Sequence, residues 1–408
     1  MMAKRIYLDY NATTPVDRRV QDILIAELGN YANASSMHED GRRVAAAVAT
    51  AREHVASLIH ALPEQVIFTS GGSESNNTIF RTMVSSALET TTSRKELYAG
   101  KKRIIVSAIE HPCVMESAKH LASLGMDVHF VPVDSAGRIN EEIYRDLLLE
   151  GAKSGEREKM PLFVSIMMAN NEIGTIQDIQ KLATLAHEAG ALFHSDAVQA
   201  VGKIPVDVQT LGVDYLTYSA HKIYGPKGVG ALFVAKGRPL EPLIRGGHQE
   251  KGMRAGTYNS PVIIAFGEAA RLAAESLGDY GTTMLRLRNL LREGFLAAVP
   301  DVHINGHSEY VLPNTFNISF PGAEGEAILL HLDLVGIDVS TGSACASGDL
   351  EPSHVLLATG VGPELAHGSI RFSMGHETTE EEIAYVLEMV PPIIAKLRSF
   401  STISPKER

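Results

Sequence analysis

Four short segments bring together residue types that do chemistry at strand ends and helix starts. Thr69-Ser70-Gly71-Gly72-Ser73-Glu74-Ser75 follows an apolar run and opens an amphipathic stretch. Backbone N–H groups at a helix start, made approachable by glycine, form an anion site favoured by the helix dipole. The same residues also suit a tight turn with a serine N-cap, and no Gly-Lys-Ser/Thr follows to make a nucleotide phosphate loop. His194-Ser195-Asp196-Ala197-Val198-Gln199 closes another apolar run. Ligands of open α/β sheets collect at that edge, where the Asp196 carboxylate needs a cation or water; a helix N-cap by Ser195 or Asp196 is the other reading. Ser219-Ala220-His221-Lys222-Ile223-Tyr224-Gly225-Pro226-Lys227-Gly228 holds a lysine at a third strand end. In a closed pocket Lys222 would have a lowered pKa and act as an amine nucleophile; in an open loop it would be one more surface cation. Ser340-Thr341-Gly342-Ser343-Ala344-Cys345-Ala346-Ser347-Gly348-Asp349 surrounds a thiol with small, mostly polar residues. That is the accessible setting a reactive cysteine requires. A buried, inert cysteine is the alternative, and the lack of bulky apolar neighbours weighs against it.

Other features read as structural. Cys113, in Glu110-His111-Pro112-Cys113-Val114-Met115, sits beside apolar residues. His303-Ile304-Asn305-Gly306-His307 spaces two histidines like a helical metal pair, but Asn-Gly is a turn signal. No HExxH or CxxC occurs, so no intrinsic metal is expected despite 16 histidines. Two cysteines make neither a disulfide framework nor a four-thiolate zinc site and fit a reducing compartment.

The elements that must position these segments follow from periodicity. Short apolar runs at residues 66–69, 103–107, 128–131, 162–166, 191–194, 215–218 and 230–234 read as strands buried on both faces. Helical patterns lie between them, such as Ile79, Phe80, Met83, Val84, Ala87 and Leu88. This alternation predicts an α/β fold with a mainly parallel sheet covered by helices. Residues 89–102 and 151–159 read as polar surface excursions. From residue 261 to about 298 the chain is helix-forming, with a break expected between Gly278 and Gly281. Strands at 315–320 and 369–373 then predict a smaller α+β domain. The expected division is a large domain of residues 15–260 and a small one of residues 1–14 and 261–408.

Composition narrows the function classes. The 408 residues carry 37 basic and 48 acidic side chains, a formal net charge of −11. That balance speaks against nucleic acid as a direct partner. Asp9 interrupts the N-terminus before a signal-peptide core could form, and no apolar run approaches a membrane span. A cytoplasmic protein without a membrane partner is expected.

Taken in chain order, the segments resemble the cysteine desulfurases of the NifS/IscS type, within the class V aminotransferases. The resemblance runs from Tyr7-Leu8-Asp9-Tyr10-Asn11-Ala12-Thr13-Thr14-Pro15 to Arg371-Phe372-Ser373. It includes Ala169-Asn170-Asn171-Glu172-Ile173-Gly174, the Lys222 segment, Met253-Arg254-Ala255-Gly256-Thr257, Gly342-Ser343-Ala344-Cys345 and Glu351-Pro352-Ser353-His354-Val355-Leu356. It implies fold type I of the pyridoxal 5'-phosphate (PLP) enzymes. Lys222 would carry PLP covalently, Asp196 would face the pyridine nitrogen and His111 would stack on the ring. Asn171 and Gln199 would contact the ring and its phenolic oxygen. Gly72, Ser73, Ser219 and His221 would hold the phosphate, with Thr257 reaching across from the other subunit of a homodimer. Arg371 would pair with the substrate carboxylate, with Asn33 and Asn171 at the same end. Lys222, Cys345, His111 and Asp196 would be the catalytic set. L-cysteine would lose its sulfur to Cys345 as a persulfide, leaving L-alanine. The sulfur would pass to an iron–sulfur scaffold or another acceptor, such as one serving tRNA thiolation. Where the family often has Gly-Asn-Pro-Ser-Ser, this chain has Ala32-Asn33-Ala34-Ser35-Ser36, and losing proline loosens that turn. A selenocysteine lyase or another class V enzyme would keep Lys222, Asp196 and Arg371 but need not use Cys345. A non-catalytic partner would have no use for Lys222, Asp196 and Cys345 together.

Overall fold

The computed structural model describes residues 5–88, 98–341 and 352–400. Its strands are β1 (Ile6–Tyr7), β2 (Val66–Thr69), β3 (Arg103–Ser107), β4 (Asp127–Val131), β5 (Pro161–Ser165), β6 (Leu192–Asp196), β7 (Tyr215–Ser219), β8 (Gly230–Val234), β9 (His303–Asn305), β10 (Thr315–Ser319), β11 (Ile337–Asp338), β12 (Ser340–Thr341) and β13 (Ser369–Ser373). Among the described residues, seven of them form one sheet in the order β2-β8-β7-β6-β5-β3-β4. Its pairs are parallel except those of β8, which runs antiparallel to β2 and β7. Every residue of β3, β5, β6 and β7 is buried, which the continuous apolar runs require.

Side chains alternate between the two faces of this sheet. Ile105, Val164, Phe193 and Leu216 enter one core, while Ile104, Phe163, Leu192 and Tyr215 enter another. The first face is covered by α1 (Arg18–Leu28), α2 (Glu39–Ser57) and their neighbours. The second is covered by α3 (Gly72–Leu88) and α4 (Pro112–Ser123). Each fully buried large side chain contributes about 1.5–3 kcal/mol of transfer free energy. Helix starts are fixed by side-chain caps, among them Asp17, His111, Asn140 and Asp178.

The polar stretch at 151–159 is only partly a surface excursion. Residues up to Ser154 complete the helix α5 (Glu141–Ser154). Gly151 lies so close to the next segment that a Cβ there would sit 2.4 Å from the Met160 nitrogen. Lys101, at the end of the other polar stretch, is buried and donates from Nζ to the Gly190 carbonyl at 2.5 Å.

The helix expected to break near Gly278 and Gly281 does not break. α6 (Ser260–Ala298) is continuous over 39 residues. Each interior glycine costs about 1 kcal/mol relative to alanine, but Tyr280, between them, is buried with its ring 5.0 Å from that of His376. Tertiary packing outweighs the local propensity. The first half of α6, through Ala273, belongs to the large core; from Tyr280 onward it belongs to a second core with Leu8, Phe316, Ile370, Phe372 and Ile394. That core lies on an antiparallel sheet of order β12-β13-β10-β9 and on α7 (Glu380–Phe400). His303 and Asn305 lie in strand β9, with Gly306 at φ +93° after it, so the two histidines do not share a helix.

Candidate active site

Two parallel-strand ends and one helix start converge on a cavity of about 360 Å³. Asp196 ends β6, Ser219 ends β7 and leads into His221 and Lys222, and Gly72 and Ser73 open α3. Parallel order places these ends on one edge of the sheet. His111, the N-cap of α4, and Asn171, after β5, close the sides, and Arg371 enters from β13 of the small sheet. Asn11, Ala12, Cys113, Met167, Val198 and Gln199 complete the lining.

Asp196 is held in place from behind. Its Oδ2 accepts from Asn76 Nδ2 at 2.7 Å and its Oδ1 from the Val198 N–H at 3.0 Å. Lys222 Nζ donates to the carbonyls of Asn11 (2.5 Å) and Ala12 (2.7 Å). Burial, reinforced by the Arg371 guanidinium, pushes its pKa down to about 7, against the pull of Asp9 and Asp196. An amine so depressed is in part neutral at neutral pH and can serve as nucleophile or base. Burial and then the Lys222 charge push His221 down to about 4, and burial also lowers His111, so both imidazoles are neutral at pH 7.

Arg371 is nearly buried. Nη2 pairs with Asp9 Oδ1 and Nη1 donates to the Asn171 carbonyl at 3.1 Å. Its Nε–H has no partner among the described residues. Glycine matters at the mouth of α3, where Gly71 has φ +153° and a Cβ on Gly72 would meet Val198 Cγ2 at 3.0 Å. A second cavity of about 390 Å³ shares Gly72, Ser73, Ser219 and His221 and adds Ser70, Gly71, Lys227 and Gly228.

Two buried acids sit behind this site. Burial raises the Glu110 carboxyl well above the usual range; its Oε1 accepts from the Met167 N–H at 2.5 Å. Burial raises Glu172 to about 7, opposed by a hydrogen bond from Ser353 Oγ at 2.5 Å. His354 Nε2 lies 2.9 Å from the Glu110 carbonyl. These contacts fix residues 353–354 against the segments that carry Asn171 and His111.

Of the residues expected from the sequence, Gly72, Ser73, His111, Asn171, Asp196, Gln199, Ser219, His221, Lys222 and Arg371 meet in one cavity. Asn33 is exposed and outside that lining; its Oδ1 accepts from the Ser35 N–H at 2.9 Å. Thr257 lines a separate cavity of about 130 Å³ beside Ser70, Gly228, Gln249 and Arg254. Its segment is tied down by Arg52, which pairs with Glu250 at 2.6 Å, and by Arg254, which pairs with Glu74 at 2.9 Å. Cys345 lies outside the described residues. Cys113, which the sequence reads as structural, is not remote from the site. It lines the cavity, with Sγ 3.0 Å from His111 Nδ1 and 3.3 Å from Asn76 Nδ2. Burial, then the Asp196 charge, pushes its thiol up to about 11. Asn11, Asn76 and Lys203 were not singled out from their types; Asn11 stood within the N-terminal motif, whereas Asn76 and Lys203 carried no local signal.

Known proteins share this sequence and fold. Residues 6–386 match the family model described as aminotransferase class-V. A cysteine desulfurase IscS of Dictyoglomus turgidum is 46% identical over 405 residues, covering 99% of this chain and 97% of its own. A cysteine desulfurase NifS of Azotobacter vinelandii is 44% identical over 398 residues, covering 97% and 94%. A solved NifS-like protein superposes with a TM-score of 0.86 at 38% identity, covering 96% of this chain and all of its own.

Proposed function

The chain belongs to the class V aminotransferase family, and from that premise we propose that its cavity removes the sulfur of L-cysteine, leaving L-alanine, with the persulfide formed on Cys345. It is a PLP-dependent cysteine desulfurase. The observation that carries the reading is the meeting of Lys222, Asp196 and Arg371 in one cavity at the strand ends.

The donor set fits PLP. The start of α3, with Ser219 and His221, offers N–H and hydroxyl donors where a phosphate would lie. Asp196, anchored by Asn76, suits a protonated pyridine nitrogen. Arg371, which lines the cavity, suits an incoming carboxylate, for which a guanidinium fork is matched. Lys222 would hold the cofactor covalently, with His111 against its ring and Asn171 and Gln199 along its edge. Thr257 would contribute to the phosphate site of a second copy, making the homodimer the active unit. Bound there, PLP supplies an electron sink that makes the α-carbon of an attached amino acid acidic.

The protein's own groups do the rest. Arg371 orients the substrate by its carboxylate. Lys222 Nζ, released by the substrate amine, takes the proton from the α-carbon; its lowered pKa suits that exchange near neutral pH. The Cys345 thiolate attacks the substrate sulfur, so that an S–S bond forms as the S–Cβ bond breaks and the electron pair stays with the carbon skeleton. That skeleton leaves as alanine after protonation. The persulfide sulfur is then passed to an acceptor, an iron–sulfur scaffold or another sulfur carrier. Among the described residues no helix is long and apolar enough to cross a membrane, which suits work in the cytoplasm. Asn33 would assist at the carboxylate end only if its segment moved toward Arg371.

The test is turnover. Purified protein with PLP and a reducing thiol should convert L-cysteine to equal amounts of alanine and sulfide. A preference for selenocysteine, with L-cysteine untouched, would favour a lyase instead. Asp196→Ala is expected to slow alanine formation by about 100-fold or more, as loss of a buried charge-assisted partner predicts, while the protein still folds. Near-normal rates with cofactor saturated would remove Asp196 from the site.

A further inference from the structure

We propose that Lys203 is a positioning residue that fixes the orientation of the Gln199 amide, so that Gln199 presents an N–H to the occupant of the cavity. The inference rests on the PLP reading above, in which Gln199 meets the cofactor's phenolic oxygen.

Lys203 does not line the cavity. It is 2% exposed, and its Nζ donates to Gln199 Oε1 at 2.6 Å and to Asn11 Oδ1 at 2.8 Å. No carboxylate pairs with it among the described residues. Burial, with Lys222 and Arg371 nearby, pushes its pKa well below the usual lysine range. Charged or neutral, the amine keeps at least two N–H donors, and two acceptors use them. The chain reaches this position through Gly202, at φ +76°, where a Cβ would lie 2.5 Å from Ile223 Cγ2. The turn therefore packs directly on the residue after Lys222.

The two ends of a glutamine amide have nearly the same shape, so its hydrogen-bond network decides which way it faces. Lys203 takes Oε1. Gln199 Nε2 donates one hydrogen to the Asn11 carbonyl at 2.9 Å, which also receives Lys222. The second Nε2 hydrogen has no partner among the described residues, and Gln199 lines the cavity. Asn11 is locked in turn. Its Oδ1 also accepts from Asn314 Nδ2 at 3.2 Å, and its Nδ2 donates to Thr315 Oγ1 at 2.9 Å and to the Asn171 carbonyl at 3.1 Å. Lys203 thus sits where one donor sets the polarity of a chain of amides ending at the cofactor site.

The prediction has a definite sign. A donor facing a phenolic oxygen favours its anionic form, and so does a nearby positive charge. Lys203 feels the charges of Lys222 and Arg371 and itself acts on His221, while Lys222 in turn feels Asp9 and Asp196. Lys203→Met should retain PLP yet raise the pH midpoint of the bound cofactor's absorbance by about one unit, with turnover down about 10- to 100-fold. KM for L-cysteine should change less than about threefold, because Arg371 is untouched. Lys203→Gln, which keeps a donor, should recover most of the midpoint. Against a Gln199→Met background, neither Lys203 substitution should move the midpoint further. Should the methionine variant not fold, Lys203→Gln with and without Gln199→Met decides alone. An unmoved midpoint with reduced thermal stability, or additive shifts in the double variant, overturns the inference. A wild-type protein with no lysine-linked absorbance band would instead overturn the PLP reading beneath it.

Discussion

Lys222→Ala should yield a folded protein without the visible absorbance band of lysine-bound PLP and with alanine formation lowered by about 10⁴-fold or more. One substitution removes both the covalent attachment and the base that takes the α-proton. The fold should survive because Lys222 contributes little to packing. It caps the carbonyls of Asn11 and Ala12, and Asn11 keeps the Gln199 donor. Two hydrogen bonds at this setting are together worth about 1–3 kcal/mol, partly offset by relief of the Lys222–Arg371 repulsion. Absorbance spectra and turnover of the purified variant check this. An unchanged band with normal alanine production would hand the role to another lysine.

Cys345→Ser should bind PLP and L-cysteine normally, while alanine falls to background. A serine hydroxyl cannot take sulfur, so the S–Cβ bond has no acceptor. Cys113 gives this prediction its control, because it lines the same cavity. Its thiol is pushed up to about 11, so at pH 7 only about one part in 10⁴ is thiolate, the reacting form. Cys113→Ser should accordingly keep most of its activity if His111, which it contacts at 3.0 Å, stays in position. Alanine production at the normal rate by Cys345→Ser would remove that residue from the reaction.

The features legible in the sequence were those with a local signature. Asp196, Ser219 and Lys222 could be found because each ends an apolar run, and parallel order carries such ends to one edge. The strands themselves appear within a residue or two of their expected bounds, since burial on both faces demands continuous apolar runs. What escaped depended on partners far along the chain. Cys113 enters the cavity because α4 packs against α3, where Asn76 reaches its sulfur. Lys203 looks like an ordinary turn lysine until Asn11, 192 positions away, closes on it. The unbroken α6 misled for the same reason. Two glycines argue for a break locally, while the buried Tyr280 and its contact with His376 hold the helix through them.

The central claim is that sulfur leaves L-cysteine for Cys345 within a PLP site built on Lys222. Mass spectrometry of the protein after brief exposure to L-cysteine, without added reductant, tests it most directly. The account predicts one added sulfur on the peptide carrying Cys345, removable by a reducing thiol, and none on the peptide carrying Cys113. An added sulfur on Cys113, or alanine accumulating while both cysteines stay unmodified, would contradict it.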